Sequence, residues 1–258
     1  MILALVALAF AATPLVPFAS EESIVRLDRS TEKVDFFTLA NHFESQENGG
    51  MCGPTTAVIV LNALRANNPA ISKPTDPTTF PAEYAKNLPP TYSPYFHRYT
   101  QDAFFDEKFE SVKPRAVFFG TPDAQGNRDG GLQLRQLNGI LLANGLASEI
   151  HVVDDQAKLD AVKKDLRTNL GRAGDYVIVN YSRQVLGQAG GGHISPLGAY
   201  DEKSDSFLVL DVNANEGKTW AWVSAADLFD AMRTKDRVEN RGYLLVREGE
   251  GAAAKPTR

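Results

Sequence analysis

Between Gln46 and Leu64 the chain reads QENGGMCGPTTAVIVLNAL, and this stretch constrains the fold more than any other. Thr55 to Leu64 carry no charge and are mostly apolar, a run that reads as a helix seeking a core. Pro54 falls where a first helical turn tolerates a missing backbone N–H, and the Gly49-Gly50 pair makes a turn ahead of it. Cys52, the only cysteine, stands at the head of that helix. There the positive end of the helix dipole and the unpaired N–H groups favour thiolate over thiol.

A lone cysteine beside an apolar run is ordinarily a small buried hydrophobe. Two further features argue for chemistry. Six residues upstream, Gln46 supplies an amide that, with the Cys52 backbone N–H, would hold a developing oxyanion. Downstream come His193 in GGGHISPLGAY and, eighteen residues later, Asp211 in SFLVLDV, each at the end of a stretch that reads as a strand. Glutamine shortly before cysteine, then histidine, then an acid, is the order of roles in papain-like thiol hydrolases.

A chain of 258 residues, 43% hydrophobic and 23% charged, builds one large domain or two small ones. Its net charge of -5 argues against nucleic acid, whose phosphates need a basic face. One cysteine excludes an internal disulfide and a multi-thiolate metal site. Residues 2–12, ILALVALAFAA, are too short to span a bilayer but resemble the hydrophobic part of a secretory signal with an A-x-A cleavage site, although no basic residue precedes them. The expectation is a signal segment over 1–12, a mature chain with no membrane span, and export to the periplasm of a bacterium; an uncleaved anchor or a core strand are the alternatives.

Residues 13–48 read as an extended polar arm followed by a short helix, FFTLANHFES, that places Gln46; His42 in it is structural. Residues 67–99 are too rich in proline for regular core and read as a lid or wrapping loop pinned by aromatics, with His97 among the pins. TQDAFFDEKFESV has helical spacing, RAVFFG after Pro114 reads as a short strand or extended edge, and GLQLRQLNGILLANG is an amphipathic helix ending at Gly145. LASEIHVV is a strand carrying His151 as an ordinary side chain. DDQAKLDAVKKDLRTNLG is an exposed helix capped by aspartate, and first-turn placement explains Asp154 and Asp155 better than a metal does.

In the second half the period changes: DYVIVNYS, HISPLGAY, SFLVLDV and GYLLVRE are short β-rich runs, with SAADLFDAM as one helix before the last. Helices first and antiparallel strands second make an α+β fold of two lobes, the cysteine from the helical lobe meeting the histidine of the sheet lobe in the cleft between them. The glycines of GQAGGG (187–192) lead into a strand, not a helix, so they read as a flexible turn that admits substrate backbone and frees His193 to reach across, and not as a phosphate loop.

Three segments, QENGGMCGPTTAVIVLNAL, YSRQVLGQAGGGHISPLGAYDEKSDSFLVLDV and ENRGYLLV, resemble the catalytic domain of phytochelatin synthases, most closely the short bacterial members. TPLVPFASEES and YSPYFHRYTQDAFF extend the likeness to about residues 13–247, leaving 248–258 as a flexible tail. The resemblance implies a papain-like cysteine protease fold. It implies a thiol acyltransferase and hydrolase that takes γ-glutamylcysteine from glutathione, releases glycine, and passes the acyl group to water or to a second glutathione, a chemistry used in heavy-metal detoxification.

Carried onto this sequence, Cys52 is the nucleophile, His193 the general base and then acid, Asp211 the group that orients the imidazole, and Gln46 the oxyanion donor. For the α-carboxylate and α-amino group of a γ-glutamyl substrate the likeness offers Arg241 and Asp236, whose spacing is two residues shorter than the family pattern. Arg183, in the Y-x-R element, is a further substrate-binding candidate that also admits a structural role. Plant members carry a cysteine-rich C-terminal extension and this sequence ends at GEGAAAKPTR, so transfer to water is expected to exceed polymer synthesis. No tightly bound cofactor is implied: a heavy-metal ion such as cadmium would enter as a glutathione thiolate complex. The partners implied are glutathione and its metal complexes, with a homodimer as the oligomer the likeness allows. The rival readings are a papain-like peptidase on another peptide and a non-catalytic binder of glutathione or metal thiolates.

Overall fold

The computed structural model describes residues 12–76, 80–122, 124–213 and 219–250. In chain order the elements are β1 (Val16–Pro17), α1 (Glu21–Arg29), α2 (Val34–Asn41), α3 (Cys52–Arg65), β2 (Thr75–Asp76), α4 (Ala82–Ala85), β3 (Phe96–His97), α5 (Glu107–Glu110) and α6 (Arg115–Phe118). There follow α7 (Leu134–Ala143), β4 (Leu146–Val152), α8 (Leu159–Leu170), β5 (Asp175–Ser182), β6 (Gly192–Asp201), β7 (Ser206–Val209), β8 (Ala221–Ser224), α9 (Ala225–Met232) and β9 (Gly242–Glu248). Seven strands form one antiparallel sheet in the order β1-β8-β7-β6-β5-β9-β4, while β2 and β3 make a separate hairpin.

The sheet is covered on both faces. Along β5, where every residue is buried, Tyr176 and Ile178 point into one core while Val177, Val179 and Tyr181 point into another, the two-residue alternation of a strand between two apolar layers. The first core holds α3 and the Leu137, Ile140 and Leu141 face of α7. The second holds Val162, Leu166 and Leu170 of α8 with Leu228, Phe229 and Met232 of α9. Helix α3 is buried almost all round, as its uncharged sequence requires. Val58, Ile59, Val60 and Leu61 are wholly inaccessible, each contributing about 1.5–3 kcal/mol by burial. Its far end is fixed by Arg65, which donates to Glu248 (2.7 and 2.9 Å), the Tyr99 hydroxyl (2.8 Å) and the Asn144 carbonyl (2.9 Å).

Several local expectations are corrected. EESIVRLDR is helix α1 and no extended arm: Ser20 accepts the Ser23 N–H, acids fill the first turn and arginines the last, and Ser23 accepts from the Trp222 indole at 2.8 Å. RAVF after Pro114 is a helical turn, because Phe118 turns inward among Phe104, Phe105 and Phe109. Asp154 accepts the N–H groups of Gln156 and Ala157 in a turn of its own, so helix α8 begins only at Leu159, without a side-chain cap. β8 was not foreseen from WAWVS. In the proline-rich segment Tyr84, Tyr92 and Phe96 are exposed and pin nothing; Tyr99 is the aromatic that is buried, and His97 meets Thr75 at 3.2 Å on the surface. Residues 1–11 of the expected signal segment and 251–258 of the tail lie outside the described residues.

Asp35, in the first turn of α2, is 1% exposed with no hydrogen-bond partner for either oxygen. Burial, reinforced by the charge of Asp175 and only partly opposed by Arg172, pushes its carboxyl up to about 9. The folded chain therefore keeps a proton there that the unfolded chain gives up near pH 4, and stability falls as pH rises between those values. Asp35→Asn is expected to stabilise the protein by more than about 1 kcal/mol at pH 8 and by less at pH 5, read from urea denaturation at both; an equal difference at the two pH values would contradict this.

Candidate active site

Cys52 is the first residue of α3, half-buried, and it lines a cavity of about 550 Å³. Met51 accepts the Thr55 N–H (2.9 Å), so Gly53 and Pro54 complete a first turn whose donors need no partner within the helix. Burial pushes the Cys52 thiol up, but hydrogen bonding and attraction to His193, joined by the backbone N–H groups of Ile194 and Gly53, outweigh it, and the net direction is down.

His193 stands at the start of β6, 4% exposed, its Nε2 2.8 Å from Asp211 Oδ1. That leaves Nδ1 for the side of Cys52. The ring meets Tyr181 of β5 edge-on at 5.6 Å. Burial pulls its pKa down, but bonding to Asp211 and Cys52 more than compensates and raises it. Asp211 follows β7 and is 2% exposed; burial would raise its carboxyl, yet His193 and Arg183, with the Asn213 N–H (2.8 Å), hold it below the usual range.

Backbone links set this geometry. The β6–β7 pairing shifts register between Leu197 and Ala199, where a Cβ on Gly198 would press on Leu210, and the hairpin returns Asp211 alongside His193. Thr56 Oγ1 donates to the Ile194 carbonyl (3.1 Å), joining α3 to β6. The Gln46 N–H donates to the Val212 carbonyl (2.8 Å), joining the loop before Cys52 to the segment after Asp211. Gln46 itself is buried, its Nε2 donating to Asn48 at 2.6 Å.

Arg183 does not face the cavity. It is 3% exposed, its Nη2 lying 2.8 and 2.7 Å from the two Asp211 oxygens and its Nη1 donating to Gln188 at 2.9 Å. Of the two roles the sequence allows it, the contacts are those of the structural one: the guanidinium neutralises Asp211. Asp236 lines the cavity, accepting from Asn180 Nδ2 (3.2 Å) and lying 3.4 Å from Arg241 Nη2. Arg241, 9% exposed, donates to Thr234 Oγ1 (2.9 Å) and the Lys235 carbonyl (2.7 Å) and backs directly onto Gly192.

Other features escaped sequence reasoning. Six lining residues are glycines: 49, 50, 120, 130, 131 and 192. Asn180, an amide within the apolar run DYVIVNYS, is a further polar group in the wall. Nothing in sequence pairs Arg237 with Asp129 (2.9 Å), Asp129 with the buried Lys113 (2.8 Å), or Arg135 with Glu239 (2.7 and 2.8 Å). These pairs tie the loop before β9 to the segment leading into α7. Among the described residues, no cluster of three or more His, Cys, Asp or Glu could hold a metal, and no helix is long and apolar enough to cross a membrane.

A family model for phytochelatin synthase matches residues 8–243. The chain belongs to the phytochelatin synthase family. Its α+β architecture, with a buried helix led by cysteine against a large antiparallel sheet, is the papain-like arrangement of that family. Glutathione gamma-glutamylcysteinyltransferase 3 of Lotus japonicus is 28% identical over 241 residues, 90% of this chain and 42% of its own length. Glutathione gamma-glutamylcysteinyltransferase 2 of Arabidopsis thaliana is 26% identical over 241 residues, 90% of this chain and 45% of its own. A Schizosaccharomyces pombe relative of the same enzyme name is 29% identical over 118 residues, 45% of this chain and 28% of its own. The chain thus spans less than half the length of these curated relatives.

A thiol lowered and an imidazole raised by one another favour the thiolate–imidazolium form more than either group would alone. Alkylation of Cys52 by iodoacetamide should therefore reach half its maximum below the pH of an ordinary thiol, and His193→Ala should move that midpoint upward. An unmoved midpoint would show that His193 does not hold the thiolate.

Proposed function

We propose that this protein is a thiol acyltransferase and hydrolase acting on glutathione. The observation that carries the reading is the aligned set of Cys52, His193 and Asp211 at a cavity, in a chain whose relatives bear the name glutathione gamma-glutamylcysteinyltransferase. The Cys52 thiolate attacks the carbonyl carbon of the cysteinyl–glycine bond. Negative charge gathers on the carbonyl oxygen, where the Cys52 N–H and the Gln46 amide are the donors within the chain best placed in sequence to meet it. As the tetrahedral species collapses, the His193 imidazolium gives its proton to the departing amine, glycine leaves, and a γ-glutamylcysteinyl thioester remains on Cys52.

His193, now neutral, takes a proton from water or from the amine of a second glutathione. Attack on the thioester then releases γ-glutamylcysteine or a lengthened γ-glutamylcysteine polymer, and the thiolate is restored. Asp211 keeps the imidazole oriented and its positive form favoured, while Arg183 offsets the acid's charge. Asp236 and Arg241 are assigned the α-amino and α-carboxylate groups of the γ-glutamyl end. Cadmium acts as a thiolate complex of the substrate, and transfer to water exceeds transfer to glutathione. The apolar run at residues 2–12 supports export.

Incubating purified protein with millimolar glutathione, with and without cadmium, should release glycine and γ-glutamylcysteine, with longer polymers as a minority product by mass spectrometry. Cys52→Ser should reduce glycine to background, a loss of at least about a thousandfold. Chiefly polymeric product would reverse the hydrolase-over-transferase assignment. No glycine under any condition would return the substrate to the peptidase or binder reading.

A further inference from the structure

Glutathione carries two carboxylates, and the γ-glutamyl end accounts for only one of them. The other belongs to the glycine on the far side of the bond that breaks. Resting on the proposed reading and deepening it, we infer that the Arg237 guanidinium binds this second carboxylate, so that the cavity selects a residue with a free C-terminus on the leaving side.

Among the described residues lining the cavity, Arg237 is the one side chain that is permanently cationic. His193 is engaged with Asp211 and Cys52. Arg241 stands behind Gly192, where a Cβ would lie 2.8 Å from its Nη2, and already donates to Thr234, Lys235 and Asp236. Arg237 has another partner: its Nε lies 2.9 Å from Asp129 Oδ1, the residue before Gly130 and Gly131 of the cavity wall. Arg237 thus reaches the cavity directly, whereas Arg241 lies behind its Gly192 wall.

The charge balance favours an incoming anion. Asp129 is shared by two cations, since its Oδ2 lies 2.8 Å from Lys113 Nζ and its Oδ1 faces Arg237. With Asp236 beside Arg241, the group holds three cations against two carboxylates, one positive charge in excess. Lys113 is 2% exposed and cannot offer its charge to solvent, whereas the Arg237 side chain is 46% exposed and can. A planar guanidinium that commits one edge to Asp129 retains N–H donors for a second carboxylate. The Asp129 contact also fixes the guanidinium in advance, which limits the entropy lost on binding.

The test compares glutathione with its glycyl ethyl ester, which keeps the γ-glutamyl end and masks only the glycine carboxylate. Wild type should favour glutathione over the ester in kcat/KM by roughly ten- to a hundredfold. Arg237→Ala should remove that preference by losing turnover of glutathione while keeping that of the ester, and Arg237→Lys should restore part of it. In parallel, calorimetry of the two ligands on Cys52→Ser, with and without Arg237→Ala, reads the same preference as binding. Arg237-dependent preference in binding with no glycine released by wild type would sustain the carboxylate site and sink the catalytic reading. Equal loss on both ligands, no change on either, or no binding of either ligand to Cys52→Ser would overturn the inference.

Discussion

Asp211 is the charge about which the site is balanced. Its buried carboxylate lies between the His193 imidazole and the Arg183 guanidinium, and His193 in turn faces Cys52. When Cys52 is thiolate and His193 imidazolium, the row of thiolate, imidazolium, carboxylate and guanidinium alternates in sign and sums to zero. Alternation is what makes the burial tolerable, because leaving one such charge without its partner costs about 3–5 kcal/mol. The same arrangement lowers the thiol without exposing it, with His193 acting alongside the donors of the helix end.

Much of this was legible because it depends on local chemistry. An uncharged helix has to be buried, and α3 is; period-two runs have to pair, and β5, β6, β7 and β9 do. The nearness of Cys52, His193 and Asp211 followed from residue types in a recognisable order. What stayed hidden lies in tertiary pairing. Arg183 and Arg237 look alike in sequence and each pairs with an acid, but one is enclosed by the turn after β5, while the other is half exposed on a loop. RAVFFG has the composition of a strand and becomes a helical turn because an aromatic cluster receives Phe118. Helix α1 is short and mostly polar, with only Ile24, Val25 and Leu27 apolar; its ends announce it more clearly, through Ser20 and the charges that match the dipole.

The fold also joins what sequence reading kept apart. Two lobes were expected, and the chain does supply cysteine from a helix and histidine from a strand. Yet the sheet belongs to both cores at once, its central strand sending alternate side chains to either face. Movement of α3 relative to β6 would have to break the Thr56–Ile194 hydrogen bond and the packing of Ile194 together, so cysteine and histidine are held as one body.

The glycines around the cavity give that body an unusual boundary. Where Gly49, Gly50, Gly120, Gly130, Gly131 and Gly192 form the walls, the surface a ligand meets is peptide backbone. Such a surface has no side chains to trim or exchange, so its width is a property of loop paths. A descendant of this chain could enlarge a side-chain pocket by single substitutions, but at these glycines a substitution only fills space. At Gly192 even a methyl group would strike Arg241. Widening the glycine-lined part would have to come through changes in loop length, and small substitutions in these walls narrow what the site admits.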